Sequence, residues 1–284
     1  AASAMAQVIK RTDGKKPHHL RDYVTILEQL EEYSTALDVV QQWKLLTPGD
    51  ETIRLREADL LVRDERMDEA IREMRRAVVK FEEAESVIIK LAELYHRSGQ
   101  SSETERIYWS MLDAAESDQE ALKYVQRLAE LSRQENDGAE LIRIFEQRAQ
   151  AEPRSVFPHL AKAEVYQTLY NEAARLEALK DATDVAPENL QLLHELSSVS
   201  LANGEYATAE QALQRALRVD DTDSTEHRLV RYYYEIGELE KALDLQQQSA
   251  GANGMPPREL EQTADVLMKS AAWPEATELL KNGL

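Results

Sequence analysis

Small and apolar residues return to the same places every 34 residues along this chain. In register, the segments beginning at Pro17, Glu51, Glu85, Leu122, Val156, Leu190, Asp223 and Pro257 carry them at the fourth, seventh, eighth and eleventh positions. A turn falls near the fifteenth, an aromatic or apolar residue at the seventeenth, and a small residue at the twentieth. Tyr33/Ala36, Leu239/Ala242 and Trp273/Ala276 repeat that last pair. In the segment from Leu190, the helical spacing of Leu193, Leu196, Ser197 and Ser200 predicts the buried face of a first helix. Asn203-Gly204-Glu205 ends it, since Asn and Gly both tolerate the positive φ that a helix end requires. Ala209, Leu213, Ala216 and Leu217 then predict a second helix folding back antiparallel, with Tyr206 filling the wedge between the two. A fixed period of this length marks a solenoid, whose units bury their apolar faces only against neighbours.

The small residues Ala58, Ala70 and Ala77, with Pro48, Pro153 and Pro187 near unit ends, give the pattern a resemblance to the tetratricopeptide repeat. The likeness covers residues 17–284 in units 17–50, 51–84, 85–118, 122–155, 156–189, 190–222, 223–256 and 257–284. It implies an all-α fold, a right-handed α-solenoid of about eight antiparallel helix pairs, counted from those unit starts. It also implies a concave groove lined by first helices and a role in holding other proteins.

Three departures from the pattern carry expectations of their own. Gln119-Glu120-Ala121 is a three-residue insertion that should lengthen a loop or helix. Arg175 stands at the twentieth place of its unit, which predicts a one-residue slip bringing Ala174 inward. The segment Ala250 to Pro257, rich in Gly and Pro, reads as a break before the last pair. At the ends, residues 1–16 read as a leftover second helix or a tag remnant, and the array is expected to continue beyond both termini. The first residues lack the basic start and apolar run of a secretory signal.

Composition narrows the chemistry. With 53 acidic and 34 basic residues the net charge is −19, which opposes nucleic acid and anionic lipid, both bound mainly through Lys and Arg. A basic or neutral partner fits this balance, and so does simple solubility. Zero Cys removes disulfides and thiol catalysis, and fits the cytoplasm, the preferred reading, and the periplasm alike. No phosphate-binding Gly-rich loop, HExxH or GxSxG is present, so no catalytic constellation and no cofactor site emerge.

The family's groove-facing places single out candidate binding residues. Asp59, Glu93, Glu130 and Glu164 repeat at the ninth place, Arg56, Lys90 and Arg127 at the sixth, and Arg63 and Arg97 at the thirteenth. Asp59–Arg63 and Glu93–Arg97 are i,i+4 pairs in the favourable order, worth about 0.2–0.5 kcal/mol each. The ladders therefore read either as a solvated, stiffened wall or as a reader of charged peptide. The acidic ninth places, with no Asn ladder, exclude the carboxylate clamp for chaperone tails and the sugar-transferring relatives. His194 and His227, at the fifth place of neighbouring units, join Arg231 and Tyr234 as a second candidate patch, whose bland alternative is packing of the Tyr232-Tyr233-Tyr234 run. Two His without a third ligand make a poor metal site. The reading is a non-catalytic scaffold for a partner protein or peptide. Its alternatives are a self-associating array forming a homo-oligomer through uncapped ends, and a regulatory domain of a larger enzyme.

Overall fold

The computed structural model describes residues 16–220 and 223–250, together with Gln7, Glu261, Ala264, Asp265, Met268 and residues 273–282. The leftover-helix expectation for residues 1–16 and the break at Ala250 to Pro257 lie outside the described residues. Every regular element among them is a helix. In chain order these are α1 (Pro17–Gln29), α2 (Tyr33–Leu46), α3 (Glu51–Arg63), α4 (Met67–Lys80), α5 (Glu85–Arg97), α6 (Ser101–Ala114) and α7 (Asp118–Glu135). There follow α8 (Gly138–Ala151), α9 (Phe157–Thr168), α10 (Glu172–Val185), α11 (Leu190–Ala202), α12 (Tyr206–Val219), α13 (Asp223–Glu235), α14 (Leu239–Ala250) and α15 (Trp273–Asn282). Among the described residues no helix is long and apolar enough to cross a membrane.

The ends of the first helices explain the 34-residue beat. Glu31, Glu65, Gly99, Asn136, Tyr170, Gly204 and Gly237 all have positive φ, between 58 and 82°. Each is the fifteenth residue of its unit. The residue after each donates its amide back across the turn, as in Arg66 N to Leu61 O (2.8 Å), Gln100 N to Tyr95 O (2.8 Å), Asn171 N to Tyr166 O (2.9 Å) and Glu205 N to Ser200 O (2.8 Å). This is the Schellman closure: one left-handed residue turns the chain and satisfies carbonyls that the helix end would orphan. The entries are capped less regularly. Asp50, Asn171 and Asn189 accept from the amides of Thr52, Ala174 and Leu192, each satisfying a free first-turn donor.

Small residues then let paired backbones approach. Ala58, Ala70 and Ala77 are essentially inaccessible, as are Ala209 and Ala216. Thr104, buried at a twentieth place, donates its hydroxyl to Ala92 O at an eighth place (3.3 Å), so those two positions meet across the pair. Leu193, Leu196, Ser197 and Ser200 are all buried, as their spacing predicts.

The chain divides into two compact units, residues 1–131 and 132–284. The boundary falls inside α7, the helix that the three-residue insertion lengthens to 18 residues where α3 and α5 have 13. The first unit has a continuous core running from Leu20 and Val24 through Trp43, Ile53 and Met74 to Leu94. The second has one cluster around Leu176, Leu179 and Leu196 and another around Leu213, Tyr232, Tyr233 and Tyr234.

Two local expectations are corrected. Tyr206 does not fill a wedge: it is 52% exposed, and it is its carbonyl that enters the packing, accepting the Tyr232 hydroxyl at 2.7 Å. The seventeenth place is the first residue of the second helix, and Tyr33, Met67 and Leu239 there are partly buried against the core where Tyr206 is not. Nor does α10 slip. Leu179 and Ala182 keep the twenty-fourth and twenty-seventh places at full burial, leaving Arg175 at the twentieth. Its side chain is mostly buried, with the guanidinium held by Glu172 and Glu195.

Candidate interaction surfaces

In the first unit the charged ladders face their neighbours rather than running along each helix. Arg56 of α3 donates from Nε to Glu28 Oε1 (3.0 Å) and from Nη2 to Glu28 Oε2 (2.6 Å), and also meets the Thr25 hydroxyl (2.7 Å), both partners on α1. Lys90 of α5 pairs with Asp59 of α3 and more distantly with Glu93 (3.7 Å). Asp59–Arg63 and Glu93–Arg97 do not form. Arg56 and Lys90 sit half-buried between first helices and draw the carboxylates sideways, because a pair shielded by two helices is less screened than one on an exposed face. Arg127 and Glu130 make an i,i+3 contact at 3.4 Å on the surface of α7. Arg63 and Arg97, in the last turns of α3 and α5, are exposed and make no ion pair. Both favour the negative end of their helix dipoles, and both keep their guanidinium free.

In the second unit His194, Arg175, Glu195, Ser198 and Arg228 line a cleft of about 490 Å³ on the first-helix side. Arg175 bridges Glu172 (3.4 Å) and Glu195 (3.1 Å), with its Nε buried and unpartnered. Burial pushes the His194 imidazole below its ordinary value, the positive charge of Arg228 pushes the same way, and Asp220 opposes them. His194 is thus neutral at neutral pH, and its Nε2 is buried without a hydrogen-bond partner. The carbonyl of His194 accepts from the Ser197 and Ser198 hydroxyls (2.8 and 2.9 Å), which fixes the local turn.

His227 and Arg231 are exposed, and Arg231 pairs with Glu235 at 2.8 Å. Tyr234 is 3% exposed and belongs to the core with Tyr232 and Tyr233, so it offers no aromatic face to a partner. Arg175 and Arg228 were missed by sequence reasoning, which treated the first as a misfit. The signal was a long cation at a place held in every other unit by a small or apolar residue. Among the described residues no group of three or more His, Asp or Glu is arranged to hold a metal ion.

Seven left-handed fifteenth residues, with buried small residues such as Ala58, Ala70, Ala77, Ala209 and Ala216 inside the pairs, decide the architecture. The chain is built of tetratricopeptide-type helix pairs. No family model matches the sequence, and no curated protein does. Solved structures of tetratricopeptide proteins are similar to it. One from Parabacteroides merdae shares 12% identity over 89% of this chain and 98% of its own, with a TM-score of 0.39. The C-terminal part of one from Cytophaga hutchinsonii shares 11% over 80% and 93%, at 0.43. A thermophilic one from Thermus thermophilus shares 21% over 77% and 100%, at 0.34.

Proposed function

We propose that this tetratricopeptide array is a non-catalytic scaffold whose first-helix walls hold a segment of a partner protein. The observation that carries the reading is the pair Arg63 and Arg97. They stand at the same place of successive repeats, exposed and without an ion pair, while Arg56 and Lys90 beside them are neutralised by Glu28 and Asp59. On a chain of net charge −19, two such cations in register favour carboxylates spaced along an extended peptide. Asp59, Glu93, Arg127 and Glu130 then form the polar flanks of that wall. The test is affinity capture with the chain and with the Arg63→Glu/Arg97→Glu variant, at low and high salt. A protein held at low salt by the parent and lost from the variant supports the reading. Equal capture by both removes it.

The cleft of the second unit supports an anchor of its own for a partner. Arg228, exposed and without an ion pair, beside the neutral His194 with its unpartnered nitrogen, suits a partner's polar or acidic side chain. Arg228→Ala and His194→Ala should each loosen the captured protein, and Tyr234→Phe should not.

A further inference from the structure

On the opposite, second-helix side of the first unit, α4 and α6 flank α5 across an open trough of about 740 Å³. Val78, Ile88, Leu91, Tyr95, Ile107 and Met111 give it an apolar strip, and the charged residues Arg75, Glu82, Glu103 and Arg106 line it as well. The matching places one repeat earlier, on α2, α3 and α4, hold a charge network. There Glu57, 1% exposed, accepts from Gln41 (2.6 Å) and Lys44 (2.7 Å), and Lys44 also meets Glu73 (3.5 Å), with Arg54 at 3.7 Å from Glu57. Moved on by one period, Lys44, Arg54, Glu57 and Glu73 become Val78, Ile88, Leu91 and Ile107. One repeat holds a bonded charge network at these four places, and the next puts aliphatic side chains there, while Gln41 of the network becomes Arg75.

We propose that this trough is a docking site for an amphipathic helix of a partner protein, with acidic residues on the flank that lies over α4. Three observations select that occupant. The walls are helices whose backbone groups are already paired, so an extended peptide would find no sheet edge, and its own amides would lie unsatisfied on an apolar floor. A helix satisfies them internally. The lining of α6 runs from Glu103 to Ala114, about 16 Å of helix at 1.5 Å per residue, which matches three turns of a partner. Finally, the walls differ in charge. On α6, Arg106 is neutralised by Glu103 at 2.7 Å, whereas Arg75 on α4 lines the trough, exposed and with no ion pair, so its charge is open to a partner along the helix although Glu82 lines the trough just beyond the end of α4. The open, one-sided shape suits a helix better than a small molecule, which needs most of its surface enclosed.

The test is a displayed library of amphipathic helices about sixteen residues long, a little over four turns. Their apolar positions are fixed at i, i+4, i+7 and i+11, and their polar flanks vary between Glu, Gln and Lys. It is selected against the whole chain, and enriched sequences are remade as peptides. Enriched helices should carry Glu on one flank and should weaken about tenfold against Arg75→Glu, the scale of one lost charge contact. The Lys-flanked counterpart should recover binding to that variant. Met111→Glu, which puts a charge on the wall of the trough, should abolish binding, with circular dichroism confirming the fold. Arg63→Glu/Arg97→Glu should leave the affinity unchanged, which separates this site from the first-helix wall. No enrichment over scrambled sequences overturns the proposal. So does binding indifferent to Arg75→Glu and Met111→Glu, or lost only with Arg63 and Arg97.

Discussion

Gly204 and Tyr170 occupy the same turn in successive repeats, with φ of 75 and 58°, and the same closing hydrogen bonds. Exchanging their side-chain types should change stability in opposite directions. A methyl at Gly204 would meet nothing within 4 Å, so Gly204→Ala meets no clash and its effect is purely conformational. Holding an L-residue in the left-handed region costs about 1–2 kcal/mol. The more restricted unfolded chain returns about 0.4–1 kcal/mol. The net expectation is a loss of about 1 kcal/mol. Tyr170 is 80% exposed, so Tyr170→Gly gives up little burial while relieving the same strain, and should gain about 0.5 kcal/mol by the same two terms. Urea unfolding followed by circular dichroism reads both. Amide exchange at the Asn171 and Glu205 amides localises the change, since repeat arrays open in parts. A neutral or stabilising Gly204→Ala, or a Tyr170→Gly that costs more than about 0.5 kcal/mol, would refute the idea that the turn is held by backbone conformation.

Glu57→Ala should cost about 2–4 kcal/mol in urea unfolding, because it leaves the mostly buried Lys44 with Glu73 alone at 3.5 Å. Ser200 is fully buried with its hydroxyl unpartnered, so Ser200→Ala should be neutral or stabilise by up to about 1 kcal/mol in the same assay. Burial, then the hydrogen bond to Glu210, pushes the Tyr233 phenol up to about 12 from an ordinary 10.0. Between those values the unfolded chain has released a proton that the native chain keeps, so stability should fall as pH rises through that window. Absorbance of tyrosinate against pH, with Tyr233→Phe as the control, checks it; a flat stability profile above the ordinary value would overturn it.

The backbone architecture was legible because it depends on single residues at fixed places. Gly99 and Gly204 announce the left-handed turn, and the period carries it to Glu31, Glu65 and Tyr170, which no composition rule would choose. The pairing of the ladders was not legible from one helix at a time. Arg56 finds Glu28, and Lys90 finds Asp59, across neighbouring helices rather than one turn along, so the search had to compare the sixth place with the ninth and twelfth of the unit before. Arg175 shows the reverse case: the period placed it correctly, and only the assumption that a small residue was obligatory argued for a slip. Tyr234 failed for want of depth, since exposed and buried tyrosines in one run cannot be told apart by spacing when the core takes three together.

The division at Leu131 distributes the natural chromophores unevenly. Trp43 is buried in the core of the first unit, and Trp109 lies in the same unit with its indole donating to Glu105 at 3.1 Å. The second unit has Trp273 alone, 60% exposed, whose surroundings change little when its helix melts. Emission therefore reports the first unit, whereas ellipticity at the helical minimum sums over both. If the units unfold independently, the two optical transitions will separate, and their offset measures the difference in stability between the halves without any mutation.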